Sequence, residues 1–306
     1  MNNEANSQQF DRRQLLALGV QGTVVAGLGL TATPAAAADR KPMATGFKHA
    51  CDLTVMGNGQ IAVIGDRQLA IFSPNGRRIH AQDLDAAPQA ICAGAEGGLL
   101  VALQDAILLL NEAGARIGRW SLADRDGIAV TSISAGRDSV YVGDGVHGKV
   151  HRFTASGRYQ GPLDQTFAAA ANFFPVEVDA AGRLHVAHSS RHRVETFDRA
   201  GRSVASWGAK SRDAAGFSGC CNPVDLAVLP DGRFVTAERG QPRIKLFSSK
   251  GDYIETLADP EQFTADRLSS YDNHQACSGG GLSVAAGPRG EVYVLDHADS
   301  SVQRLS

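Results

Sequence analysis

The chain has 306 residues, with 30 Lys and Arg against 32 Asp and Glu, and a formal net charge of −2. That balance excludes a nucleic acid or an anionic membrane surface as the main partner, because both recruit proteins through a strong positive field. Glycine is abundant at 34 residues and aromatic content is only 6%, a composition suited to many tight turns between short strands rather than to long helices.

In chain order, residues 1–38 read as a leader rather than as fold. Asp11-Arg12-Arg13-Gln14-Leu15-Leu16 is a twin-arginine pattern, and a Gly- and Ala-rich apolar stretch follows from Leu15 to Leu30. Pro34-Ala35-Ala36-Ala37-Ala38 then offers a small-residue cleavage site before Asp39. The apolar run is too short and too rich in glycine to read as a membrane span. The expectation is a periplasmic protein with no integral membrane segment after cleavage, and one domain over residues 39–306. Export of an already folded chain raises the case for a metal or cofactor inserted beforehand.

From there a repeat runs to the end. Val140-Tyr141-Val142-Gly143-Asp144 with Lys149-Val150-His151-Arg152-Phe153 is matched by Leu184-His185-Val186-Ala187-His188 with Arg193-Val194-Glu195-Thr196-Phe197. It is matched again by Phe234-Val235-Thr236-Ala237-Glu238 with Arg243-Ile244-Lys245-Leu246-Phe247, and by Val292-Tyr293-Val294-Leu295-Asp296 with Ser301-Val302-Gln303-Arg304-Leu305. Two divergent copies lie earlier, around Ile61-Ala62-Val63-Ile64 and Leu99-Leu100-Val101-Ala102. Turn pairs such as Asn58-Gly59, Asp231-Gly232 and Lys250-Gly251 punctuate the copies. Six units of roughly 40 to 45 residues predict an all-β, six-bladed β-propeller with four-stranded antiparallel blades.

The phrasing "apolar strand, Asp-Gly, Val-x-Val-x-Asp, Arg-Val-x-x-Phe" resembles the NHL-repeat family of six-bladed propellers, over nearly all of residues 47–306. Gly219-Cys220-Cys221-Asn222-Pro223, followed by Asp231-Gly232-Arg233 and Thr236-Ala237-Glu238, resembles a twin-arginine-exported bacterial subgroup of that family, a likeness that implies no defined activity. The sixth unit stops after its third strand, so the segment Lys41 to Lys48 is expected to supply the missing outer strand and close the ring. Closure removes an unpaired sheet edge.

Such a topology puts the segment leading into each innermost strand on the same face as the hairpin joining strands two and three. Cys92 lies inside an innermost strand and reads as a small buried hydrophobe. Cys51, Cys220, Cys221 and Cys277 fall at or just before innermost strands of the first, fifth and sixth blades, which closure makes neighbours. Three chemistries fit four thiols there: disulfide stapling, a thiolate-bound metal (copper, zinc or an iron–sulfur centre), or a cycling dithiol. His49 and His274 stand near enough in sequence to add imidazole.

A second set shares one repeat position, the end of strand two: Asp144, His188, Glu238 and Asp296. An Asp there ordinarily holds its own hairpin. The change to His188 and Glu238 in adjacent blades, with His297 beside Asp296, suggests a polar rim able to hold a metal or an anionic ligand. The functional expectations are therefore a periplasmic propeller with a cysteine-centred metal or redox site at the channel mouth, serving electron transfer or a respiratory system; a binding scaffold stapled by disulfides, with a periplasmic protein or small ligand as partner; and a metal-dependent hydrolase or lyase of the six-bladed type. Lactonases of the gluconolactonase and paraoxonase type, with channel calcium, and peptidyl-amidoglycolate lyase, with zinc-bound histidines, exemplify the last. The sequence matches no complete ligand set of either.

Overall fold

The structure is a computed structural model, and it describes residues 41–94, 96–122, 127–167, 174–262 and 281–306. All of them fall in the unit Asp39–Ser306; the leader expected over residues 1–38 lies outside the described residues. Among the described residues no helix is long and apolar enough to cross a membrane.

Six four-stranded antiparallel sheets form a ring of blades. Blade 1 runs outward through Ala50–Val55, Ile61–Gly65, Gln68–Phe72 and Arg78–Asp83. Blades 2 to 5 repeat this from innermost strands Pro88–Ala93, Val130–Ala135, Val176–Val178 and Asp225–Val228. Second strands such as Ile61–Gly65 and Leu99–Leu103 are buried throughout and read as unbroken apolar runs, because both their faces meet neighbouring blades. Outer strands such as Arg78–Asp83 and Arg116–Ser121 alternate in exposure, because one face meets water.

Blade 6 consists of Leu282–Ala286, Val292–Asp296, Ser301–Arg304 and, outermost, Met43–Ala44. Met43 pairs with Val302 and Ala44 with Ser301, so the closing strand falls where the repeat predicts it. The Thr45 hydroxyl donates to Ser300 O at 2.6 Å, and Ser300 Oγ accepts the Ala50 N–H at 3.0 Å. These bonds tie the last blade to the first.

A repeated socket locks blade to blade. Trp120, Leu163 and Trp207 leave the outer strands of blades 2, 3 and 4 and fill the space over Gly157, Gly201 and Gly251 of the next blade. A Cβ at Gly251 would lie 2.2 Å from Trp207, and that glycine has φ +87°, a conformation only glycine adopts without strain. Met43 fills the corresponding place over Gly76 of blade 1. The closing strand thus uses the same packing device as the strands made in sequence.

Candidate functional site at the channel mouth

The innermost strands surround a central channel, and strand register sorts their channel-facing side chains into two rings. Asp52, Ser132, Pro175, Asp225 and Ser283 form the ring nearer the start of each strand. Thr54, Cys92, Ser134, Glu177, Ala227 and Ala285 form the deeper one. Around the first ring opens a mouth of about 300 Å³, lined also by His49, Cys51 and His297; the deeper cavity is about 200 Å³.

The polar members of these rings are fixed across blade boundaries. Asp52 Oδ1 accepts the Leu53 N–H at 2.8 Å, and its Oδ2 accepts the Ile91 N–H of blade 2 at 2.9 Å. Asp225 repeats the device with Leu226 at 2.8 Å and with Val284 of blade 6 at 2.7 Å. Ser134 Oγ accepts the Val178 N–H at 3.0 Å and lies 3.1 Å from Glu177 Oε2, to which its hydroxyl donates. Asp52, Asp225 and Ser134 are therefore held in one orientation by backbone N–H groups, and Glu177 by the Ser134 hydroxyl.

Three carboxyls in a narrow channel are poorly hydrated, and the described residues lining its deeper part include no Lys, Arg or His. Burial pushes the Asp52 carboxyl up to about 7, against the pull of its two N–H donors and Ser283. Burial likewise raises Glu177 to about 8, with the Asp52 charge adding to the effect. Asp225 moves well above the ordinary carboxylate range for the same two reasons. Near neutral pH this group holds protons that exposed carboxylates would have released.

His297 stands at the mouth, where the hairpin of blade 6 turns. Its Nε2 is 3.0 Å from Ser283 Oγ, and Ser283 also reaches the Asp52 carboxyl. Burial lowers the imidazole to about 4, so His297 is neutral at physiological pH. Asp52, Ser283 and His297 stand together along the rim, with a carboxyl poised near neutrality beside the Ser283–His297 hydrogen bond.

The cysteines expected at one corner are distributed differently. Cys51 is the extra residue of a bulge between Ala50 and Asp52, and its side chain leans toward blade 2. Its Sγ donates to Ile64 O at 3.4 Å and to Pro88 O at 3.5 Å, and burial pushes the thiol up to about 12. Cys220 and Cys221 sit in the loop leading to Asp225, Cys220 exposed and Cys221 buried. Cys51, Cys92, Cys220 and Cys221 are all free thiols. Among the described residues no group of three or more His, Cys, Asp or Glu side chains is placed to hold a metal. Cys277 and His274 lie outside the described residues.

Of the expected polar rim, His49 and His297 line the mouth; His188, Glu238 and Asp296 lie under their own hairpins. His188 is buried, with Nδ1 2.9 Å from Glu195 Oε1 and its ring edge-on to Phe167. Glu238 is fully buried, bound by Arg243 Nε at 2.9 Å and Lys245 Nζ at 2.6 Å. Asp296 Oδ1 accepts the Ala298 N–H at 2.9 Å, the turn-holding role of the repeat's Asp. His188 is thus a structural hydrogen-bond partner of Glu195 and Glu238 a structural ion-pair member, since hairpin position directs them into the blade rather than toward the channel.

Asp52, Asp225, Glu177 and Ser283 escape a reading that starts from unusual residues. Period-two alternation finds them: each stands at a channel-facing position of an innermost strand, and Asp52 and Asp225 share one ring.

No protein-family model matches the chain, and no curated protein sequence matches it. Solved structures do. A Bacteroides caccae protein of unknown function is 15% identical with a TM-score of 0.57, over 70% of this chain and 83% of that one. A streptogramin B lyase is 15% identical with a TM-score of 0.56, over 82% and 77%. A catalytically inactive histidine-to-alanine virginiamycin B lyase from Staphylococcus aureus, with quinupristin, is 14% identical with a TM-score of 0.56, over 83% and 79%. At such identity the likeness carries the propeller fold, while chemistry must be argued from the site.

Proposed function

We propose that the protein is a propeller enzyme of lyase or hydrolase type, which holds a small polar ligand at the channel mouth and moves a proton on it. The observation that carries this reading is the gathering of Asp52, Ser283 and His297 on the wall of a cavity of about 300 Å³, with Ser283 and His297 hydrogen-bonded. A proton-transfer group works best when its pKa lies near the operating pH, and Asp52, at about 7, meets that condition.

In this reading Asp52 takes a proton from the ligand in its ionised form. Ser283 passes hydrogen-bond polarisation to neutral His297, and Asp52 returns the proton to the leaving group. Glu177 and Asp225, largely protonated, keep the channel from accumulating negative charge that would lift Asp52 beyond use. A lyase among proteins of the same fold is compatible with this class of chemistry. The periplasmic setting belongs to the proposal and rests on the Arg12-Arg13 leader pattern.

The test is a turnover screen of cyclic depsipeptides of the streptogramin B class and of simple lactones, read by mass spectrometry. At least one compound is expected to be opened, with a rate that rises as pH passes about 7. Asp52→Asn should lower kcat/KM by roughly 10²- to 10⁴-fold, the usual weight of a positioned acid–base group. Unchanged turnover in Asp52→Asn, or saturable binding with no reaction, would replace this reading with that of a binding scaffold.

A further inference from the structure

Away from the channel, the most tightly built unexplained feature is the loop bearing Cys220 and Cys221. Two neighbouring hairpins hold it. His192 Nε2–H of blade 4 donates to Gly219 O at 3.0 Å, and the Ser189 hydroxyl donates to Pro223 O at 2.7 Å. From blade 5, the Arg239 N–H donates to Asn222 Oδ1 at 2.9 Å, while Asn222 Nδ2 donates to Ser218 O at 2.6 Å and Arg239 O at 3.1 Å. A buried amide therefore spans the loop and the hairpin, fixing the backbone that carries both thiols.

Between those clamps the loop carries two thiols on consecutive residues, Cys220 and Cys221. They are unlinked, Cys220 is open to solvent, and Arg239 Nη2 lies 3.9 Å from Cys220 Sγ. Hydrogen bonding within a hairpin explains the loop; it does not explain why two sulfurs and a guanidinium are gathered at its surface.

We propose that Cys220 and Cys221 form a two-sulfur capture site for a trivalent thiophilic metalloid, the class of arsenite and organic arsenoxides. Both thiols condense with the hydroxide-ligated centre: two arsenic–oxygen bonds break, two arsenic–sulfur bonds form, and each thiol proton leaves with a departing hydroxide as water. No oxidation state changes. The species is neutral, so the Arg239 cation beside the site does not repel it as it would a divalent metal ion. Where a third oxygen remains on the centre, that oxygen is an acceptor for the guanidinium. The site is independent of Asp52 and the channel.

The experiment uses the reduced full-length protein and phenylarsine oxide, read by intact mass under non-denaturing conditions. One phenylarsenic adduct should form, resist excess glutathione and be removed by a competing dithiol. Cys220→Ser and Cys221→Ser should each weaken capture by roughly 10²-fold or more, the effective-concentration advantage of a second tethered donor. Cys220 is exposed, so its variant tests the site without disturbing packing; a melting curve checks that the Cys221 variant is folded. Cys51→Ser and Cys277→Ser should leave capture intact. The proposal is overturned if the wild type gives no glutathione-resistant adduct, if either Ser variant keeps it, or if the Cys51 or Cys277 variant removes it.

Discussion

At the scale of single residues, charges placed inside the molecule have opposite consequences depending on what faces them. Glu177 accepts from the Ser134 hydroxyl, and burial raises its carboxyl to about 8. A raised carboxyl gives a stability contribution that is complete below the ordinary Glu pKa of about 4.5 and is lost as pH climbs through about 8. Glu177→Gln, which mimics the protonated form, should flatten that decline and leave the variant more stable than wild type at alkaline pH, by about 1–3 kcal/mol. Urea unfolding across this pH range measures it, and a variant less stable at every pH would contradict the account. Lys245 is the converse. Its Nζ meets Glu238 at 2.6 Å, Gly216 O at 2.6 Å and Ala214 O at 3.0 Å, and stands over the Phe217 ring. Lys245→Met removes one partner of a buried pair and should cost about 3–5 kcal/mol. Adding Glu238→Gln should recover part of that loss in the same unfolding measurement, because Glu238 is then no longer a buried charge stripped of one partner.

At the scale of elements, the outer strands act through what they drop into the neighbouring blade. Gly251→Ala places a methyl group against Trp207 at a backbone angle that disfavours any side chain, so a loss of about 1–3 kcal/mol is expected. Gly290→Ala is the control in thermal melts: its φ is also positive, at +88°, but the added methyl meets nothing. Equal losses in both would show that backbone strain alone accounts for the effect. These elements were legible in the sequence because every blade repeats the same strand and turn phrase, and a repeat averages out the weakness of any single signal. The closing strand was legible too, since a sixth unit lacking one strand leaves an edge to be filled. The site was less so. Cys51 drew attention as a rare residue, yet the channel position belongs to Asp52 one residue on. Cys51 is the extra residue of a bulge, which a repeat pattern read from the sequence does not reveal. His188 and Glu238 departed from the repeat for a packing reason, to pair with Glu195 and with Lys245 and Arg243, which composition alone does not reveal.

For the molecule as a whole, ring closure brings the first and sixth blades together, and with them Asp52 and Ser283, 231 positions apart in sequence (283 − 52). The mouth exists only in the closed ring, so stability and site are coupled. Thr45→Val, which deletes the 2.6 Å bond to Ser300 O, should cost about 1–2 kcal/mol and lower the melting temperature without changing the mouth's own groups. The central claim is that closure gathers an acid–base group poised near neutrality beside a neutral imidazole. Its most direct test is an NMR titration following the carboxyl carbon of Asp52 and the ring nitrogens of His297 in one sample. A midpoint near 7 for Asp52 and near 4 for His297 is the predicted result; midpoints near about 3.9 and about 6.5, the ordinary values for exposed groups, would contradict it.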